Sequence, residues 1–263
     1  RALLSICTCQ EFSLLLAPLL PYFLLCWPLC DIMETCQVLI DGVVMSQAQF
    51  PFVYRLIRSI VHGLLRLLCR LKVEGVEQVP AEGPFMLVCN HLHWLDIPLF
   101  WVTLPCRVTV FAARKWGRRP VIGWLLRRLG NAIFVFRREV DRQALHQALT
   151  VLKGGGILVV APEGTRSKTG ALQPGKDGAA YLAARTGVPL VPVVAYGQEK
   201  AFSSLRRGRR AEVHVIFGSP FTLPGTPGRV SKEQLHGFTE QIMLRLAAML
   251  PPAYRGVYGL VDW

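Results

Sequence analysis

The chain has 263 residues, 52% of them hydrophobic and only 18% charged, with a formal net charge of +13. Its length suits one large domain or two small ones and is ample for a buried core, and six Trp with thirteen Phe exclude a disordered chain. Basic nucleic-acid binders are usually polar, so a basic chain of positive mean hydropathy points instead to an anionic membrane surface.

Residues 1–44 differ in composition from the rest. They carry Arg1 against Glu11, Asp31, Glu34 and Asp41, a net of −3, so the +13 of the chain becomes +16 over residues 45–263. Within them, residues 12–30 are uncharged and long enough to cross a bilayer, but Pro18, Pro21 and Pro28 oppose a continuous helix. Residues 1–44 are therefore expected to be a hydrophobic N-terminal extension, either a transmembrane segment or sequence upstream of a natural start at Met45. Five of the eight cysteines fall there. The others, Cys69, Cys89 and Cys106, sit singly among apolar neighbours and are expected to be buried and reduced, with neither disulfide nor zinc spacing.

Residues 45–71 are expected to form an amphipathic interfacial helix. Over 52–71, Arg55, Arg58, His62, Arg66 and Arg70 recur at spacings of three or four, a narrow cationic stripe on an otherwise apolar helix without acids. Short apolar strands are then predicted at 72–76, 85–89, 107–112, 132–136, 157–160, 190–195 and 212–217. They alternate with helices at 95–104, 119–129, 141–153, 176–186 and 231–249. The pattern gives one α/β domain over 72–250, with a central, mostly parallel or mixed sheet flanked by helices, and a tail at 251–263.

The densest chemistry is Asn90-His91-Leu92-His93-Trp94-Leu95-Asp96, between the strand FMLVC and the helix DIPLFWVTL. A strand's carboxyl end is where α/β sheets bind ligands. Asp96 is placed to fix the His91 tautomer while the second imidazole nitrogen faces a cleft, the support that a general base needs. The pair alone also fits a structural role. With no GxSxG elbow and no cysteine in an electropositive turn, His91 would activate a hydroxyl of the substrate. Three further segments follow. The strand GNAIFVF ends in Arg137 and Arg138, and a guanidinium there suits a phosphate or carboxylate. Pro162-Glu163-Gly164-Thr165-Arg166 is a tight turn able to bind an anion, with Glu163 expected to orient an arginine or the acceptor hydroxyl. The proline-flanked run VPLVPVV reads as a cleft wall.

These four segments, in this order, resemble the glycerolipid acyltransferase family, the PlsC-like lysophosphatidic acid acyltransferases. That family carries blocks of the form NHxSxxD, a glycine-to-arginine block, PEGTRS and VPV; here they read NHLHWLD, GNAIFVFR, PEGTRS and VPLVPVV, within about residues 70–220. The resemblance implies that His91 is the base and Asp96 its partner. It also implies that Arg137, Glu163, Gly164, Thr165 and Arg166 hold the acceptor's phosphate, with Lys176 as a further donor. The departure is His93, where the family usually has Ser or Thr; it is expected to replace a hydrogen bond.

The expected reaction moves an acyl chain from acyl-CoA or acyl carrier protein to lysophosphatidic acid, without metal or cofactor, at the cytoplasmic face of a membrane. Another lysophospholipid, glycerol phosphate or an aminolipid is the alternative acceptor. The runner-up of a different class is a non-catalytic module binding anionic lipid. No acid occurs between Asp96 and Glu139, a basic field suited to lysophosphatidate and an anionic membrane surface. A second basic run from Lys200 to Arg210 would extend it. No nucleic-acid partner is expected, because no recognisable motif is present and aromatics are scarce in the basic runs.

Overall fold

Helix α1 (Phe52–Leu68) opens the part of the chain that the computed structural model describes, residues 52–104, 106–136, 141–224 and 230–259. The expectations for residues 1–44 and for Arg137 lie outside these residues. Strand β1 (Cys69–Glu74) follows α1 directly, and β2 (Phe85–Cys89) leads into α2 (Asp96–Thr103). Next come β3 (Thr109–Ala113), the short α3 (Arg114–Gly117), α4 (Pro120–Leu129) and β4 (Ile133–Val135). The remainder is α5 (Arg142–Lys153), β5 (Ile157–Val160), α6 (Gly178–Thr186), β6 (Leu190–Tyr196), α7 (Ala201–Leu205), β7 (Ala211–Phe217) and α8 (Lys232–Ala248).

The described strands form one seven-stranded sheet in the order β1-β7-β6-β2-β5-β3-β4. Every neighbouring pair is parallel except β6 with β7. This is the expected α/β domain with a mixed sheet. β2 is buried at every residue because both sheet faces are covered, which explains its uninterrupted apolar run. β1, at the sheet's edge, alternates between more and less buried residues, as a strand with one covered face does.

The two faces carry different layers. Met86, Val88, Leu158, Val160, Leu190 and Val194 pack with residues of α5, α6 and α8. Phe85, Leu87, Cys89, Val191 and Val193 pack on the other face, against Phe100 and Leu104 at α2. The helix after β2 and the helix after β5 thus cover opposite faces. Because β2 and β5 are parallel neighbours, their carboxyl ends flank a crevice of the kind in which open α/β sheets bind ligands.

The chain direction brings more to this edge. β6 is parallel to β2, so Gly197 and Gln198, just past its end, arrive there. β7 runs antiparallel to β6 and β1 parallel to β7, so both strands start at this edge. The whole 197–210 connection and the last turn of α1 therefore lie at the same end of the sheet as β2's carboxyl terminus.

Helix α1 corrects part of the sequence reading. The helix stops at Leu68, and Arg70 lies on β1, where Cys69 pairs with Ala211. Arg58 is not presented outward for an interface. Its guanidinium donates to the carbonyls of Val102 (2.9 Å) and Leu104 (2.6 Å) at the end of α2, groups that a helix terminus leaves without partners. Arg55 is exposed, and Arg66 is half-buried with its carbonyl accepting from Arg210 (3.2 Å). Tyr54 and Leu65 face the domain, and the Tyr54 hydroxyl accepts from Trp101 Nε1 at 2.8 Å. Phe52, Leu56, Ile60, Leu64 and Leu67 form an exposed apolar ridge, with Leu67 65% accessible. No described helix is long and apolar enough to cross a membrane.

Cys69, Cys89 and Cys106 are buried and free, as expected. Residues 251–259 pack back on the domain. Leu172 N–H donates to the Tyr254 carbonyl (2.9 Å), and Gly175 N–H to the Tyr258 hydroxyl (3.1 Å). Gly256 has φ of 54°, and a side chain there would strike the Leu172 carbonyl.

Candidate active site

The site is assembled where β2, β5 and β6 end. Asn90, the first residue past β2, is 1% accessible. Its amide donates to the Ala195 carbonyl (2.8 Å) and accepts from Ala195 N–H (2.9 Å). The side chain therefore mimics one more rung of the β2–β6 ladder and fixes where the chain leaves the sheet. The next residue is His91.

His91 is held by backbone and by ring. Its N–H donates to Glu163 Oε1 (2.9 Å), and its carbonyl accepts from Ser167 N–H (2.7 Å). The residue is thus clamped between both ends of the Glu163–Ser167 turn. Its ring Nδ1 lies 2.9 Å from Asp96 Oδ2. A carboxylate only accepts, so Nδ1 carries the proton and Nε2 presents its lone pair. Nε2 has no hydrogen-bond partner among the described residues, and His91 lines a cavity of about 1150 Å³.

Asp96 occupies the first turn of α2, where a negative charge is favoured by the helix dipole. It is 2% accessible. Oδ2 also accepts from His93 N–H (2.8 Å), while Oδ1 accepts from Gln198 Nε2 (2.7 Å). Gln198 is wholly buried and its Oε1 has no partner. It follows Gly197, whose φ of 91° turns the chain inward; a Cβ there would lie 2.2 Å from the Glu212 carbonyl oxygen.

Glu163 is 2% accessible, and burial raises its carboxyl above the ordinary glutamate value. Its second oxygen accepts from Gln173 N–H (3.0 Å) and Nε2 (3.3 Å). Both oxygens thus accept from the two loops, and no arginine is among the carboxylate's hydrogen-bond partners in the described residues. Where the sequence reading has it orient an arginine or the acceptor hydroxyl, the structure has it hold the His91 backbone. Gly164, at φ of 67°, lies under Lys176, whose Nζ would be 3.2 Å from a Cβ at that position. Arg166 is exposed in the same turn, close enough to His93 for its charge to lower that imidazole's pKa. The larger effect on His93 is burial, which also lowers it, so this second imidazole is neutral near pH 7. Burial pushes the thiol of Cys89 far up, and Cys106 up to about 11, which leaves neither as a nucleophile.

The cavity is overwhelmingly apolar. Ile57 and Val61 of α1, Ile97 and Trp101 of α2, Leu125 and Leu129 of α4, Leu145 and Leu149 of α5, and Tyr181 of α6 form its walls. Its volume lies somewhat above the roughly 300–1,000 Å³ usual for small-molecule sites. Among the described residues, no three His, Cys, Asp or Glu side chains group as metal ligands.

Residues 70–196 match the model of the family named Acyltransferase. They are an acyltransferase-family domain. Similar proteins carry more specific names. The chain is 34% identical to the chloroplastic 1-acyl-sn-glycerol-3-phosphate acyltransferase of Brassica napus over 156 residues, 56% of this chain but only 44% of that protein. It is 27% identical to the 1-acyl-sn-glycerol-3-phosphate acyltransferase of Bacillus subtilis, over 73% of this chain and 94% of that one. The crystal structure of the 1-acyl-sn-glycerophosphate acyltransferase PlsC from Thermotoga maritima superposes with a TM-score of 0.58 and 27% identity. It covers 84% of this chain and 90% of its own.

Within the acyltransferase domain, the structure brings together His91, Asp96, Glu163, Gly164, Arg166 and Lys176, with Thr165 in the same turn. Asn90, Gln173 and Gln198 were not singled out as site residues from the sequence. Asn90 could have been, as the first letter of the NHLHWLD block. Gln198 had only a faint signal, a glycine and an amide just beyond an apolar strand.

Proposed function

We propose that this protein transfers an acyl chain from a thioester donor, acyl-CoA or acyl carrier protein, to the free hydroxyl of lysophosphatidic acid, giving phosphatidic acid. The observation that carries the reading is the His91–Asp96 pair, its free Nε2 turned toward a large apolar cavity. The names of the similar proteins support this acceptor.

In this mechanism, Nε2 takes the proton of the acceptor hydroxyl as its oxygen bonds to the thioester carbonyl carbon. Asp96 stabilises the imidazolium that forms. When the tetrahedral intermediate collapses, the carbon–sulfur bond breaks and the imidazolium returns its proton to the departing thiolate. Lys176, which lines the same cavity as His91, and Arg166, whose charge reaches His93, are the cations proposed to hold the acceptor's phosphate. The apolar cavity accommodates the acyl chain. The exposed ridge of α1 supports a helix lying in a membrane interface, and the proposed location is the cytoplasmic face of that membrane.

General-base help contributes roughly 10²–10⁴-fold. His91→Ala should lower thiol release from acyl-CoA by at least that lower factor, with an unchanged circular dichroism spectrum and melting temperature. Near-normal turnover in that variant would refute the assignment. The same assay with lysophospholipids of different headgroups and with glycerol phosphate reads the acceptor directly. Lysophosphatidic acid is the expected best substrate.

A further inference from the structure

We propose that α7 and the arginine loop behind it, residues 202–210, are a second point of attachment to an anionic lipid bilayer, set beside the mouth of the active site. The proposal rests on the reading of the protein as a membrane-bound acyltransferase and adds the surface that orients it. Phe202 and Leu205 are exposed on α7, at 42% and 43%. Trp94, exposed next to His93, stacks on Phe202 with ring centroids 5.8 Å apart and planes 23° apart. Tryptophan at such a rim favours the headgroup level of a bilayer.

Arg206, Arg207, Arg209 and Arg210 follow immediately, all exposed. Arg206, Arg207 and Arg209 make no ion pair with a carboxylate among the described residues. The acids at either end of the connection are engaged elsewhere: Glu199 accepts from the Tyr254 hydroxyl (2.7 Å), and Glu212 pairs with Lys72 and His214. Arg210 reaches the Arg66 carbonyl, so the loop abuts the last turn of α1, where Leu64 and Leu67 belong to the exposed ridge. Strand direction has already placed α7, this loop and His91 at one edge of the sheet. Arginines alone would suit any polyanion. Arginines beside exposed Phe, Leu and Trp suit the boundary between headgroups and acyl chains.

The test is cosedimentation of the full chain with phosphatidylcholine vesicles, with and without an anionic fraction of phosphatidylglycerol. Each arginine near an anionic leaflet is worth about fivefold in binding, so R206S/R207S/R209S should bind anionic vesicles roughly 100-fold more weakly. Its affinity for neutral vesicles should be unchanged. F202S/L205S should bind both vesicle types more weakly. Both variants should keep wild-type turnover of a soluble short-chain lysophosphatidate with acyl-CoA, which also reports that they are folded.

Wild-type affinity of the arginine variant for anionic vesicles would overturn this proposal alone. Failure of the wild-type protein to bind any vesicle would overturn the membrane reading along with it. Normal vesicle binding with turnover lost only for an acyl carrier protein donor would assign the loop to an acidic protein instead, and overturn the lipid assignment.

Discussion

At the scale of single residues, the site depends on a carboxylate whose acceptor positions are nearly all taken. Asp96 receives the His91 ring, the His93 backbone and the Gln198 amide. Gln198 touches no reacting atom; it positions Asp96 and stabilises its charge. A hydrogen bond to a charged group is worth about 1.5–3 kcal/mol, so Gln198→Met should lower kcat roughly 10- to 100-fold with little change in KM. The split between kcat and KM distinguishes positioning from damage. A variant that is merely less stable loses melting temperature and active fraction, while its folded molecules keep the wild-type turnover.

Glu163 offers a complementary test. Burial raises its folded pKa above the unfolded value, so its contribution to stability is present at low pH and is lost as pH rises through the folded value. Glu163→Gln removes this titration. The melting temperature of the variant, relative to wild type, should therefore increase from the ordinary carboxylate range toward neutrality. A difference that stays constant with pH would show that the carboxyl is not strained by burial. His91, Asp96 and the PEGTR turn were legible because they lie in short runs with unusual chemistry. Glu163's partner was not. Which backbone N–H a buried carboxylate finds depends on two loops, at residues 91 and 173, that meet only in the folded chain.

At the scale of elements, strands 85–89 and 157–160 and the helices α2, α4 and α5 were legible to within a residue or two. Buried runs and capped amphipathic segments declare themselves. Asp141, for example, caps α5 by accepting from Ala144 N–H at 3.0 Å. The junction of α1 with β1 was not legible. Arg66 and Arg70 are four residues apart, and the half-buried alternation of an edge strand imitates one more helical turn. α7 is too short to show a period. Arg58 read as part of a cationic stripe, but its guanidinium spans from α1 to the last carbonyls of α2. Arg58→Met should cost about 1.5 kcal/mol, and roughly 3–6 °C in melting temperature, measured by thermal unfolding. Vesicle affinity of the folded variant should be unchanged, in contrast to the arginines of the 206–210 loop.

At the scale of the whole molecule, the cavity draws its walls from both layers and from α1, so its capacity is a property of the assembled fold. Added bulk on one wall should be felt by the far end of a long acyl chain. One methylene too many in an apolar pocket discriminates by about tenfold or more. Leu149→Trp should accordingly reduce kcat/KM for long-chain donors by at least that factor relative to short-chain donors, in the same thiol-release assay. Uniform loss across chain lengths would place Leu149 outside the acyl path.

The antiparallel pairing of β6 with β7, alone among the pairs of described strands, was invisible in the sequence, which marks where strands are and not which way they run. Its effect is a division of labour within the chain. A parallel β7 would require a crossover ending at the opposite end of the sheet, whereas the observed return is a hairpin-like detour over the site's rim. Lengthening such a detour costs little, about 0.6 kcal/mol per doubling. Between the buried Ala201 and Arg210, which bonds the Arg66 carbonyl, the mostly exposed residues 202–209 lie downstream of Gln198 and outside the chemistry. Replacing them with a neutral loop of similar length should leave turnover of soluble substrates intact while changing the surface on which the enzyme works.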